Sequence, residues 1–281
     1  MRLTHNIPSL NIYTKYKSAL ASQSTSMARI SSGKRINQTS DDPYGKAQDT
    51  NFTMQLRGLQ MANQNAQDGV SLAQVAEGGL DGINSMLQRI RDLAVQASNG
   101  TENTSDKNAI QLEVSNLVQN INTTAKSTNM NGINILNDSS GQGLTAMIGA
   151  NVGEQITIPT FNFTTDNSSG ALYSLSTADV TTSDNCKTLM DNVDSAMSQI
   201  NSALSKYGAV ENRFNSTSDN IGAVSNEVEA GDSDAIDTDI AAEMLNYSRS
   251  SIVVQAGIAM MAQTNKFPQD VLSILQNIRA N

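Results

Sequence analysis

The feature that most constrains this chain is an apolar register that alternates steps of four and three from Cys186 to Val228. It runs through Cys186, Met190, Val193, Met197, Ile200, Leu204, Tyr207, Glu211, Phe214, Ser218, Ile221, Ser225 and Val228, and ten of the thirteen positions are apolar. Steps of three and four keep side chains on one face of a helix, and sustained over six heptads they define a coiled-coil seam. Such a helix buries a narrow stripe and needs a partner of similar length.

Other segments read the same way. Residues 10–36 predict an amphipathic helix with Tyr13, Tyr16, Leu20, Gln23, Met27 and Ile30 on its seam. Thr39 to Asp42 interrupt it, and a second helix is expected from Pro43, with Ser40 to Asp42 as capping candidates. That helix extends to about residue 98, with Phe52, Leu56, Leu59, Ala66, Val70, Ala73, Leu80, Leu87 and Ala94 in register. Asn99-Gly100 ends it, and a third helix carries Ile110, Val114, Leu117, Ile121 and Ala125. Gly231 to Asp234 are expected to break the long fourth helix. A last one carries Ile240, Met244, Tyr247, Ser251, Val254, Ile258, Met261 and Asn265, with a kink or break at Pro268 before the apolar tail Val271, Leu272, Ile274, Leu275 and Ile278.

Between the helices, residues 129–182 carry glycines at 132, 141, 143, 149 and 153 and a proline at 159 around short β-forming stretches. They predict a small β-rich connector, with Thr164 to Gly170 an exposed loop and the many Ser and Thr of 160–183 solvated. The fold class is therefore mainly α: long antiparallel helices forming a coiled-coil rod, with a β-rich connector in the middle of the chain.

Composition supports thin helices over a thick core. Aromatic residues make up 4% of the chain and Trp is absent, whereas aromatics supply the largest burial per side chain. The net charge of −9 argues against nucleic acid as a partner. No apolar run reaches the length of a membrane span, and the first residues lack the apolar core of a Sec-type signal peptide. Neither membrane insertion nor a cofactor is expected.

Catalysis is also hard to build. His5 is the one histidine and Cys186 the one thiol, which is too few for a usual zinc site. There is no Gly-rich phosphate loop with its lysine. Asp232, Asp234, Asp237, Asp239 and Glu243 fail the EF-hand pattern, because Ile236 and Asp237 fall where it needs an oxygen ligand and a glycine. They read instead as acids near a helix start. Cys186 reads as a small apolar seam residue.

The two ends carry a resemblance. Arg29-Ile30-Ser31-Ser32-Gly33-Lys34-Arg35-Ile36-Asn37, Ser40-Asp41-Asp42-Pro43-Tyr44-Gly45, Asn65-Ala66-Gln67-Asp68-Gly69 and Leu87 to Gln96 resemble the amino-terminal region of bacterial flagellins. Asn131 to Leu136 and Ile148-Gly149-Ala150-Asn151 do the same. Asp237 to Glu243, Gln255-Ala256-Gly257 and Pro268 to Leu275 resemble the carboxy-terminal region. The resemblance implies a self-assembling filament subunit, not an enzyme, exported unfolded through the flagellar secretion system and located in the extracellular flagellum.

Further expectations come from the resemblance alone. Residues 1–42 and 236–281 correspond to a terminal coiled-coil domain lining the filament channel, 43–136 and 184–235 to a helical rod, and 137–183 to a connector in place of reduced or absent outer domains. Assembly seams fall at Tyr13, Tyr16, Leu20, Met27, Ile30, Ile240, Met244, Tyr247, Val254, Ile258, Met261, Leu272 and Leu275. Implied partners are further flagellin subunits, hook-associated junction and cap proteins, an export chaperone and the flagellin-sensing Toll-like receptor. Contact with that receptor falls on Leu87, Arg89 and Glu113. O-linked glycans are expected on some Ser or Thr of the connector. The alternatives are a hook–filament junction protein and a secreted adhesin or effector module.

Overall fold

A computed structural model describes residues 6–138, 140–166 and 170–279, with side chains to residue 274. His5 and the side chain of Leu275 lie outside the described residues. Five helices carry most of the chain: α1 (Ile7–Ser32), α2 (Pro43–Ala97), α3 (Thr104–Ser127), α4 (Ser183–Ile236) and α5 (Ile240–Arg279). Two antiparallel hairpins lie between α3 and α4. One pairs β1 (Asn129–Met130) with β2 (Ile133–Asn134), the other β3 (Leu144–Met147) with β4 (Gln155–Ile158). At 55 and 54 residues, α2 and α4 are each about 80 Å long. The chain falls into two compact units, residues 1–54 with 228–281 and residues 55–227. Both α2 and α4 supply residues to each.

Local chemistry accounts for the helix ends. Asn6 accepts from the Ser9 amide at the start of α1, and Gly33 closes the helix in the left-handed conformation at φ 71°. The helix therefore ends four residues before the predicted limit of 36. Asp42 Oδ1 accepts from the amides of Tyr44 and Gly45, so of the three candidates Asp42 caps α2. Asn103 caps α3 and Asp239 caps α5 through the amides of Ala241 and Ala242.

Two predicted breaks are absent. α4 runs through Gly231 to Ile236, because Asp234 and Ser233 stay helical and the Asp237 amide still reaches the Ser233 carbonyl. α5 runs through Pro268. A proline removes one donor from a helix, and the flanking heptad continues past it.

In the unit of residues 55–227, the core lies where α2, α3 and α4 meet. Leu80, Ile83, Leu87, Ile90, Val114, Ile121, Val193, Ile200 and Tyr207 are fully enclosed. Ala66, Ala73, Ala76, Ala94, Ala125 and Ala196 alternate with them, so helix axes approach closely and few aromatics are needed. Cys186 is buried on this seam and donates to the Val180 carbonyl at 3.4 Å. Burial pushes its thiol up, so it stays a neutral apolar residue.

Residues 159–182 differ from the predicted solvated connector. Phe163, Thr164, Thr165, Leu172, Leu175 and Val180 are buried, and the segment forms a strap across the helices. Gln111 on α3 clamps it, donating to the Ala178 carbonyl at 2.7 Å and accepting from the Val180 amide at 2.8 Å. Phe161 stacks edge-on against Tyr207, with centroids 5.7 Å apart. The predicted loop from Thr164 thus begins in the core, because Phe161 and Phe163 bring it there through backbone bonds to Ile135 and Leu136. Among the described residues of the strap, Ser174, Ser176, Thr177, Thr181 and Thr182 remain exposed.

Candidate assembly surface

In the unit of residues 1–54 and 228–281, α1 and α5 pack side by side in opposite directions. Ser9 meets Asn265 at 3.3 Å, Tyr16 packs on Gly257, and Arg29 pairs with Glu243 at 3.7 Å. The faces turned towards each other are regular heptads. On α1 they are Ser9, Ile12, Tyr16, Ala19, Gln23, Ser26 and Ile30; on α5 they are Glu243, Tyr247, Ser250, Val254, Gly257, Met261, Thr264, Pro268 and Val271. Half of these are small or polar, and Ile12, Tyr16, Ile30, Tyr247, Val254, Met261 and Val271 supply the apolar part. A Cβ on Gly257 would stand 3.5 Å from Tyr16 Cβ, an ordinary contact distance, so the two helices meet closely here with room for a methyl group.

Many other large apolar residues of the two helices point outwards. Among the described residues, five on α1 and ten on α5 are exposed. Leu10, Tyr13, Leu20 and Met27 form one row, between 45% and 62% exposed. On α5, Val253, Met260, Phe267 and Ile274 recur at every seventh residue, between 43% and 60% exposed. Met244, Ile258 and Leu272 make a second row at multiples of seven. A soluble monomer seldom leaves contiguous apolar area of this extent open.

The sequence-predicted seam residues therefore divide. Tyr16, Ile30, Tyr247, Val254 and Met261 lie in the contact between α1 and α5, whereas Tyr13, Leu20, Met27, Ile240, Met244, Ile258 and Leu272 face outwards. The predicted α1 register interleaves two stripes, one buried within the chain and one open. Sequence reading missed Leu10, Val253, Met260 and Phe267 from the open rows. The seven-residue recurrence of Val253, Met260, Phe267 and Ile274 was a signal that would have found three of them.

A polar junction closes the same unit. The Arg35 amide donates to the Ile236 carbonyl, its guanidinium donates to the Ala235 carbonyl, and the Thr238 amide donates to the Gly33 carbonyl. Asp49 is 6% exposed and accepts from Lys46, with Lys34 at 3.7 Å. The hydrogen bond from Lys46 holds its carboxyl below the ordinary aspartate range against the opposing effect of burial. Asp232 lies nearby with one carboxylate oxygen enclosed and unpartnered; burial, then repulsion from Asp49, pushes its pKa up. The acids of this region are thus spread over separate tasks: the Asp237 carboxylate accepts from the Ser233 hydroxyl at 2.7 Å, Asp239 caps α5 and Glu243 meets Arg29.

Leu87, in the other unit, is fully buried. Above it Arg89 Nε and Nη2 both donate to Glu113 Oε1, at 3.0 and 2.8 Å, on an exposed face.

An antiparallel pair of helices with open apolar rows in one unit, and long helices packed around one core in the other, are the parts of a filament-forming structural protein of the long-helix class. The model for the bacterial flagellin N-terminal helical region matches residues 3–141, and that for the C-terminal helical region matches residues 190–275. The chain is 36% identical to a flagellin of Halalkalibacterium halodurans over 276 residues, covering 98% of this chain and all of that one. It is 36% identical to a Bacillus subtilis flagellin over 304 aligned positions, again covering 98% and 100%. A provisionally assigned flagellar hook-associated protein from Vibrio parahaemolyticus shares the fold, with a TM-score of 0.58 and 12% identity over 70% of this chain and 100% of that one. The chain belongs to the bacterial flagellin family, in a short form, and is a structural subunit of the flagellar filament. Among the described residues no helix is long and apolar enough to cross a membrane.

Proposed function

We propose that the open rows of α1 and α5 are the surfaces through which copies of this chain pack together in the filament. The observation that carries this is the turned-out heptad of Val253, Met260, Phe267 and Ile274, matched on α1 by Leu10, Tyr13, Leu20 and Met27. Burial of such rows at about 25 cal/mol per Å², repeated along a helical array, holds a polymer without covalent links. Contacts between unlike surfaces of identical subunits give open helical assemblies. On this reading residues 1–42 and 236–281 form the inner coiled coil, 43–136 and 184–235 the rod, and 137–183 replaces the outer domains.

The test separates the two stripes. Leu20→Asp and Met260→Asp leave the contact between α1 and α5 intact, so the subunit keeps its helical circular dichroism. When seeded with wild-type filament fragments, these variants give no filaments by negative-stain electron microscopy. Normal filaments from both would overturn the proposal.

Export as unfolded chain, a chaperone on the way, and junction and cap proteins at the filament ends are the partners this role requires. The location is the extracellular filament. For the flagellin-sensing receptor, the reading assigns contact to the Arg89–Glu113 pair, with Leu87 supporting the helix from beneath. Arg89→Ala then lowers receptor activation by monomer in reporter cells. Undiminished activation would remove that assignment.

A further inference from the structure

The chain contains two Asn-Gly steps, Asn99-Gly100 and Asn131-Gly132, and the structure holds them in opposite ways. We infer that Asn99 is a site of spontaneous deamidation in the folded subunit and that Asn131 is protected by its backbone conformation.

The chemistry needs no enzyme. The Gly100 amide nitrogen attacks Cγ of Asn99, a Cγ–N bond forms, and that nitrogen gives up its proton. The Cγ–Nδ2 bond breaks and ammonia leaves, giving a five-membered imide. Water then opens the imide at either carbonyl, to aspartate or to isoaspartate. No electron transfer is involved, and solvent water is the only co-reactant. The step requires a following residue without a side chain, room to close the ring, and rotation about the Cα–C bond of the asparagine that brings the next nitrogen round to its side chain.

Asn99 meets the first two of these, and its backbone is not held in the left-handed conformation that blocks the third. It lies in the turn after α2, and both it and Gly100 are exposed. Nothing approaches within 4 Å of where a Cβ of Gly100 would stand. Asn99 Oδ1 accepts from the Thr101 amide at 3.4 Å, which folds the side chain over the Gly100 peptide and draws electron density away from Cγ. Among the described residues the turn is held by three further backbone bonds, from the Ser98 amide to the Ala94 carbonyl, the Asn99 amide to the Gln96 carbonyl and the Glu102 amide to the Asn99 carbonyl.

Asn131 does not meet them. It forms the tip of the β1–β2 hairpin with φ 52°, and Gly132 follows with φ 80°, the left-handed pair of a tight two-residue turn. In the left-handed conformation ψ is about +47°. That turns the Gly132 nitrogen to the side of the Cα–C bond away from the Asn131 side chain. Ring closure there requires the register Met130 to Ile133 to open first.

The product at Asn99 is a new carboxylate beside the carboxy-terminal end of α2, where the helix dipole is negative and Glu102 is close in sequence. The last turn of α2, which carries the buried Ala94 and Ala97, is therefore loosened by the modification.

The experiment is peptide mapping by mass spectrometry of the full chain, incubated in mildly alkaline buffer with and without denaturant. In the folded protein, Asn99 is expected to convert about tenfold faster than Asn131 or more, equivalent to one decade of rate, and the ratio collapses in denaturant. Equal rates in the folded chain overturn the inference, as does a ratio that persists in denaturant, because the difference would then belong to sequence alone. Gly100→Ala, placed in open space, is expected to keep the helicity and abolish conversion at Asn99; unchanged conversion would refute the mechanism.

Discussion

The ring of Phe214 on α4 lies directly against Gly69 on α2: a Cβ at Gly69 would stand 2.6 Å from the ring's Cζ. Gly58 and Gly79 repeat the relationship about three helical turns away on either side. Gly58 receives Ala150 of the β3–β4 turn, and Gly79 receives Thr128 and Leu136. These glycines are sockets, each filled by a different neighbouring element.

Gly69→Ala is accordingly expected to destabilise the fold. Overpacking costs about 1–3 kcal/mol, against a helical gain of about 1 kcal/mol, and Phe214 is fully buried and has nowhere to swing. Gly78→Ala meets nothing within 4 Å and is expected to stabilise by up to about 1 kcal/mol. Thermal unfolding followed by circular dichroism reads both; a shift of the same sign for the two would contradict the socket.

Removing the Asp49 charge is expected to weaken the unit of residues 1–54 and 228–281. Its folded pKa is lowered from 3.8 by the bond from Lys46, so the native state releases the proton more readily than the unfolded chain. The resulting stability is present above the unfolded value and is lost as pH falls through the folded one. Asp49→Asn costs about 1–3 kcal/mol at neutral pH, and the penalty shrinks in acid. Urea unfolding of wild type and variant across that range checks it.

Glu77 carries the opposite sign. Burial, then repulsion from Glu211 and Asp81, raises its pKa above 4.5. The native state therefore holds this proton longer, and its contribution favours folding in acid and fades as pH rises through the raised value. Glu77→Gln is expected to increase stability at neutral pH and flatten the pH profile. A loss of stability at neutral pH would show that the carboxylate has a partner that compensates its burial.

Gln111→Leu is expected to free the strap while sparing the helices. It removes two hydrogen bonds and strands the buried Val180 amide, a penalty of about 1–3 kcal/mol. Faster amide hydrogen exchange at residues 178–180, with α2 and α4 unchanged, is the signature. Unaltered protection there would mean that Leu172, Leu175 and Val180 hold the strap by packing alone.

How much of this was legible in the sequence depended on whether a stripe had one owner. The register from Cys186 to Val228 was readable because one face is buried within the chain from end to end of the core. The start of α2 at Pro43 and the end at Asn99-Gly100 were readable from capping chemistry. α1 was read less well, since Tyr13, Leu20 and Met27 are as apolar as Tyr16 and Ile30, and periodicity does not tell an inward stripe from an outward one. The pairing of the two ends follows from the resemblance, and Tyr16, Ile30, Tyr247, Val254 and Met261 are in it, but Ser9, Ala19, Ser26, Ser250 and Gly257 do not register as a seam on a hydrophobic scale. The strap was misjudged because its Ser and Thr outnumber Phe161, Phe163, Leu172 and Leu175, while those four decide where it goes.

The open apolar rows of α1 and α5, lying outside the contact that holds Tyr16, Ile30, Tyr247, Val254 and Met261, have a thermodynamic consequence. An isolated copy leaves those rows in water, so part of the apolar burial open to its terminal helices is not realised. On the packing proposed above, neighbouring copies act as ligands for the folded termini, and by mass action the stability of those helices rises with the concentration of the chain itself. On that packing, dilution acts as a denaturant for the ends of this molecule and as a bystander for the unit of residues 55–227.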